Sequence, residues 1–264
     1  RPIDFDVGSA ACTATIDRGH RGTGLLIVSG GNEIRSGAHR GMAELAATVA
    51  GAGHPVMRFD RRGVGDSEGE NGGFDSAAED IATAMRVFRG ECPGMTRVVA
   101  FGNCDAAAAL LLHLPHARAD ALVLANIWTI ETADEGAADQ GAAVMPPAAA
   151  IRARYAQKLR DPREWARLLR GGVDLGKLWR GLKAARTVAP SGLAGRLGAA
   201  LAAADMPVTI LIAEADGTAR AFLAEWNGPA FAAARAAGTA RILRHPTGSH
   251  GFADDDAREW LTAQ

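Results

Sequence analysis

The chain has 264 residues, 48% of them hydrophobic and 22% charged, with a formal net charge of -1. Such a length and composition suit one α/β domain with a sizeable insertion, or two small domains, and the near-neutral charge leaves no footprint for nucleic acid. Cysteines at 12, 92 and 104 form neither a disulfide framework nor a zinc spacing, and no apolar run approaches the roughly 18 residues of a membrane helix.

In chain order, the first twenty residues, with VGSAA in the middle, read as a hairpin at a sheet edge. The start, RPIDFDVGS, has no apolar signal-peptide core and no initiator Met, so a cytoplasmic protein with a trimmed or omitted N-terminus is expected. TGLLIVSGG (23–31) is a buried strand stopping at glycines, 38–52 a helix with Met42, Leu45, Ala46 and Val49 on one face, and HPVMRFD (54–60) a second strand. A glycine-rich loop, RRGVGDSEGENGG, precedes a helix over 75–89 whose Ile81, Met85 and Phe88 face inward. Strand 97–102, helix 105–114 and strand 120–126 follow; then strand 206–216, helix 218–237, strand 240–246 and a last helix near 253–262. Alternating strands and helices predict a mostly parallel central sheet with helices on both faces. The segment 127–204 breaks the alternation, so 1–126 and 205–264 are read as two parts of one core and 127–204 as an inserted helical lid.

In such a sheet the working residues sit on loops beyond the strand C-termini. Gly102-Asn103-Cys104-Asp105-Ala106 stands where a strand turns at once into a helix, with small residues two positions either side of Cys104. This is the spacing of a nucleophile elbow, G-x-S-x-G, with cysteine for serine and alanine for the second glycine. A thiol at a helix N-terminus is expected to ionise readily; the bland alternative is a small buried thiol. Cys12 and Cys92 lack this context. The acid partner belongs just past a later strand, where Asp216 stands with Glu214 as competitor. The base belongs after the last strand: His250, between Gly248 and Gly251, is preferred over His245. The oxyanion donors would be the backbone N–H groups of Asp105 and of Gly31, with Asn32 the alternative. Arg35, His39, Arg61 and Arg62 near the mouth are candidates for binding a substrate carboxylate or phosphate, against a solvated-surface reading. No residue set suggests a metal or an organic cofactor.

Together these residues resemble the α/β-hydrolase superfamily over nearly the whole chain, and RFDRRGVGDSEGE looks like its D-x-R-G-x-G-x-S loop. More narrowly, SGGNEIRSGAHRGM, RFDRRGVGDSEGE, FGNCDAAAA, AEADGTARAF and GSHGF are similar to the exosortase A system-associated hydrolases of type 1, bacterial proteins encoded near exopolysaccharide and protein-sorting genes. A cysteine at the elbow is usual in that group. The resemblance implies an α/β-hydrolase fold and a Cys–His–Asp hydrolase with an unassigned substrate. Two departures are Ala106 for the second elbow glycine and Glu214 where many relatives have glycine.

Within the insertion, 151–186 carries eleven basic and three acidic residues, an excess of eight on a nearly neutral chain. It reads either as a solvated helix face or as contact with an anionic partner: an acyl carrier protein, a membrane face or an acidic polysaccharide precursor. The expected chemistry is attack of Cys104 on an ester or thioester of a small acyl substrate, giving an acyl-cysteine. Transfer to an acceptor other than water would make the enzyme an acyltransferase. The rivals are a non-catalytic binding protein using the basic lid and a redox-sensing thiol.

Overall fold

The computed structural model describes residues 1–130 and 192–264. Among the described residues eight strands form one sheet: β1 (Pro2–Val7), β2 (Ala10–Asp17), β3 (Thr23–Val28), β4 (Val56–Phe59), β5 (Arg97–Asn103), β6 (Ala121–Ala125), β7 (Val208–Ala213) and β8 (Ala240–His245). Their spatial order is β1-β2-β4-β3-β5-β6-β7-β8, and every pairing from β4 onward is parallel. The opening hairpin is as expected, turning at Gly8 with a left-handed φ of 61° and leaving β1 at the sheet edge.

Side-chain alternation explains why both sheet faces are covered. Leu26, Val28, Met57, Phe59, Val98, Ala100, Ile210 and Ile212 are buried in one apolar layer. Their neighbours Ile27, Val56, Phe101, Leu211 and Ala213 point the other way into a second layer. The second layer is closed by α1 (Gly41–Gly51), through Met42 and Leu45, with Val49 half-buried at its rim. The first is closed by α2 (Ala78–Glu91), which buries Ile81, Met85 and Phe88, and by α3 (Asp105–Leu112), whose alanines let it lie close to the sheet.

Helix boundaries moved where local chemistry overrode periodicity. The helix expected from 38 begins at Gly41, because His39 and Arg40 hold left-handed φ values of 51° and 63°. That expected over 105–114 stops at Leu112, and Pro115 opens the short α4 (Leu114–Ala117). The single helix expected over 218–237 is α6 (Gly217–Trp226), a 3-10 turn (Pro229–Phe231) and α7 (Ala232–Ala237). Gly228-Pro229 is a strong breaker that the helical pattern had masked.

Of the 127–204 insertion, residues 131–191 lie outside the described residues, and with them the basic stretch 151–186. The described end holds α5 (Leu193–Ala202), which buries Leu193, Leu197 and Leu201 in the first layer. A Cβ on Gly198 would stand 2.0 Å from the Ala230 carbonyl oxygen, so glycine is required for α5 to approach the turn before α7. The last helix, α8 (Asp255–Thr262), packs against α1 on the second face. Among the described residues no helix is long and apolar enough to cross a membrane.

Candidate active site

β5 runs into α3 with one residue at the corner. Cys104 takes φ 61° and ψ −124°, a conformation sparsely populated by side-chain-bearing residues. Its backbone is pinned from both sides: its N–H donates to the Ala125 carbonyl at 3.0 Å, and its carbonyl accepts from Trp128 N–H at 3.1 Å. A Cβ on Gly102 would lie 2.8 Å from the Ala106 carbonyl carbon, the clash that the small residues before and after the corner avoid.

Asp216 and His250 are brought together by the ends of β7 and β8. Asp216 is the N-cap of α6, its Oδ2 accepting from Ala219 N–H at 2.9 Å. Its Oδ1 is 3.1 Å from His250 Nδ1. Nδ1 held by a carboxylate leaves Nε2 to act as base. The backbone of His250 reaches the elbow, its carbonyl accepting from Asn103 Nδ2 at 3.2 Å and from Asn126 Nδ2 at 2.9 Å. The competitors are placed elsewhere. Glu214 pairs with Arg244 at 3.5 Å, and His245 is buried with its ring against Trp260.

The thiol does not ionise readily here, contrary to the expectation from its helix terminus. Burial is the first cause and the negative charges of Asp105, Asp216 and Glu33 add to it, pushing Cys104 up to about 12. The Asp105 N–H, which bonds the sulfur, pulls the other way and is outweighed. A thiol held so, were it to act as a nucleophile, would give up its proton as it reacts, as a serine does, rather than before.

Asp105 does more than supply an N–H. Its carboxylate accepts from Gly31 N–H at 2.6 Å and pairs with the buried Arg61 at 3.3 Å. Arg61 also donates to the Gly31 carbonyl at 2.8 Å. A Cβ on Gly30 would sit 2.4 Å from Asp105 Oδ1, so only glycine lets that carboxylate in. The expected Gly31 donor is thus occupied, whereas among the described residues Asn32 N–H has no acceptor. Arg61 is an internal clasp of the two loops. Arg35 pairs with Asp60 and with Asp66, and Arg62 grips Asp80 through two nitrogens, so these cations face protein carboxylates. His39 is exposed on the kink before α1. Sequence reasoning missed the carboxylate role of Asp105 and the amides of Asn103 and Asn126. A polar residue closing the apolar strand DALVLAN was the available signal for the last.

Removing the Asp105 charge is expected to lower the Cys104 pKa. In Asp105→Asn, alkylation of Cys104 by iodoacetamide at fixed pH should run at least several-fold faster than in the parent, read by peptide mass spectrometry. An unchanged or slower rate would mean that this carboxylate does not restrain the thiol.

A cavity of about 370 Å³ between α1 and α8 is lined by Leu25, Leu45, Val49, His54, Phe101 and Leu261 among others, and none of Cys104, Asp216 and His250 lines it. Among the described residues no cluster of three or more His, Cys, Asp or Glu side chains could hold a metal ion.

Neither a protein-family model nor a curated protein matches the chain. Solved structures do. An esterase of Pyrococcus furiosus superposes with a TM-score of 0.67 at 12% identity, covering 100% of this chain and 88% of that one. Est1E from Butyrivibrio proteoclasticus, with ferulic acid bound, gives 0.62 at 13% identity, over 99% and 95% of the two chains. A thioesterase domain from the curacin biosynthetic pathway gives 0.56 at 14% identity, over 100% and 96%. With the strand order and mostly parallel sheet described above, these likenesses show that the chain has the α/β-hydrolase fold.

Proposed function

We propose that the protein is a hydrolase of esters or thioesters that works through an acyl-cysteine on Cys104. The observation that carries this reading is the corner itself: a cysteine held at φ 61° between strand and helix, with a histidine–carboxylate pair 3.1 Å apart on the neighbouring loops. His250 Nε2 takes the thiol proton as sulfur attacks the acyl carbon. The oxyanion is received by the N–H of Asp105 and by that of Asn32, or by Gly31 once the Asp105 carboxylate releases it. Collapse breaks the bond to the alcohol or thiol, which leaves with the proton from His250. Water then attacks the acyl-sulfur carbon, gives its proton to His250, and the proton returns to Cys104. Asp216 keeps the imidazole oriented and stabilises its charged form.

Arg61, clasping the oxyanion loop, acts as a support rather than a substrate ligand; exposed His39 remains the candidate for substrate contact. The substrate is a small acyl compound, presented free or by an anionic carrier at the basic segment 151–186. The resemblance to exosortase A system-associated hydrolases supports a place beside exopolysaccharide or protein-sorting chemistry, and three free cysteines fit a reducing cytoplasm. The raised thiol favours a second reading, a binding protein with an inert Cys104. Incubation with p-nitrophenyl esters and acyl-thioesters, acid quench and adduct mapping separates the two. An acyl group confined to Cys104, turning over in the parent, formed far more slowly in His250→Ala and absent in Cys104→Ala, is the expected result. A folded protein that never acylates at Cys104 would sink the hydrolase reading.

A further inference from the structure

We propose that Asn126 is a positioning residue that fixes the histidine loop against the nucleophile and acid strands; this rests on the Cys104–His250–Asp216 reading. The three groups come from three strand ends, β5, β7 and β8. The register between β5 and β7 is set by β6, which lies between them. The loop bearing His250 has no strand or helix of its own from Pro246 to Asp254; it is folded on itself through Thr247 and Ser249, which leaves its placement against β5 and β7 to contacts from outside the loop.

Asn126 follows the last residue of β6 and is wholly buried. Its Oδ1 accepts from Ala213 N–H at 2.9 Å, at the last residue of β7. Its Nδ2 donates to the His250 carbonyl at 2.9 Å and to Asn103 Oδ1 at 3.3 Å, beside Cys104. Asn103 Nδ2 gives the same carbonyl a second bond at 3.2 Å. One amide therefore touches the strand of the nucleophile, the strand of the acid and the backbone of the base. Burial strengthens each bond and makes an unmet partner costly. The residue also holds a φ of 44°, a conformation that asparagine tolerates better than most side chains. Ring placement errors near 1 Å are enough to lose about 100-fold in rate.

Asn126→Asp keeps the acceptor for Ala213 N–H and loses the donor to His250. With p-nitrophenyl acetate it should lower kcat about 100-fold and leave KM nearly unchanged. It should also abolish the low-field proton resonance of His250 Nδ1–H, a readout that needs no turnover. Asn103→Ala, which removes the second bond to the His250 carbonyl and the acceptor for Asn126 Nδ2 but leaves the Asn126–His250 bond, should lower kcat about tenfold and serves if Asn126→Asp does not fold. Leu124→Ala, a buried truncation on the same strand away from these contacts, supplies the control: its melting temperature falls while kcat measured below the transition stays near the parent value. Full kcat in folded Asn126→Asp or in Asn103→Ala, or a kcat loss in Leu124→Ala matching that of Asn126→Asp, overturns the positioning role. Cys104→Ala tells the two failures apart. If it still turns over, the cysteine reading falls and this proposal with it; if it is dead while the asparagine variants are fully active, only this proposal falls.

Discussion

Asp216→Asn should lower kcat on an activated ester by about 10⁴-fold, and Glu214→Gln should leave it unchanged. The reason is tautomeric. In the proposed mechanism a carboxylate at 216, 3.1 Å from His250 Nδ1, accepts a hydrogen bond from its N–H and leaves Nε2 bare to take the thiol proton. An amide there donates to Nδ1 through its NH₂ group, moves the ring proton to Nε2 and removes the base. The fold should be spared, since asparagine caps a helix about as well as aspartate and can still accept from Ala219 N–H. Glu214→Gln removes only an exposed pair with Arg244, 3.5 Å long in the parent, which contributes little. A thiol that sits at about 12 makes this test sharp: with so little thiolate near neutrality, turnover depends on the base. Steady-state kinetics with matched melting curves decides it. A small effect of Asp216→Asn beside a large one of Glu214→Gln would exchange their roles, and indifference to both would remove the acid from the mechanism.

Asp60→Ala is expected to destabilise the fold by about 3 kcal/mol, the cost typical of removing one partner of a buried ion pair. For a domain of this size the melting temperature should fall by about 6–12 °C. The Asp60 carboxylate is wholly buried. It accepts from the backbone N–H of Arg35 at 2.5 Å and of Asp66 at 3.2 Å, and pairs with the Arg35 guanidinium. Gly65, at φ 58°, makes room for it: a Cβ there would stand 2.4 Å from Asp60 Oδ2. Ser67 Oγ donates to the Asp60 carbonyl at 2.8 Å and accepts from Thr13 N–H at 3.0 Å, tying the loop to β2. Losing the carboxylate leaves two N–H groups unmet and the mostly buried Arg35 cation with the exposed Asp66 as its remaining carboxylate, so Asp60→Asn should fall between the parent and Asp60→Ala. Thermal unfolding measures both. A loss under about 1 kcal/mol, the size of an exposed pair, would mean that water replaces the carboxylate there.

Much of the fold was legible because it is encoded locally. Runs such as RVVAFG and VTILIA, bounded by glycine and charge, marked strands, and the alternation of strand and helix pointed to a parallel sheet. The elbow was legible for the same reason: a strand that meets a helix without a linker must turn sharply, and small residues at 102 and 106 advertise the close approach. Chain order singled out Asp216 and His250, and the structure sets them 3.1 Å apart. What the sequence could not determine were sums over distant residues. Whether the helix terminus or the surrounding carboxylates govern Cys104 depends on Glu33, Asp105 and Asp216, which are far apart along the chain and meet only in the fold. Arg35, Arg61 and Arg62 looked like free cations until packing gave each a protein carboxylate. Local sterics sets the backbone at each corner and is written residue by residue. The charge state of a group and the bonds of a buried amide are set by whatever the tertiary structure brings within a few ångströms.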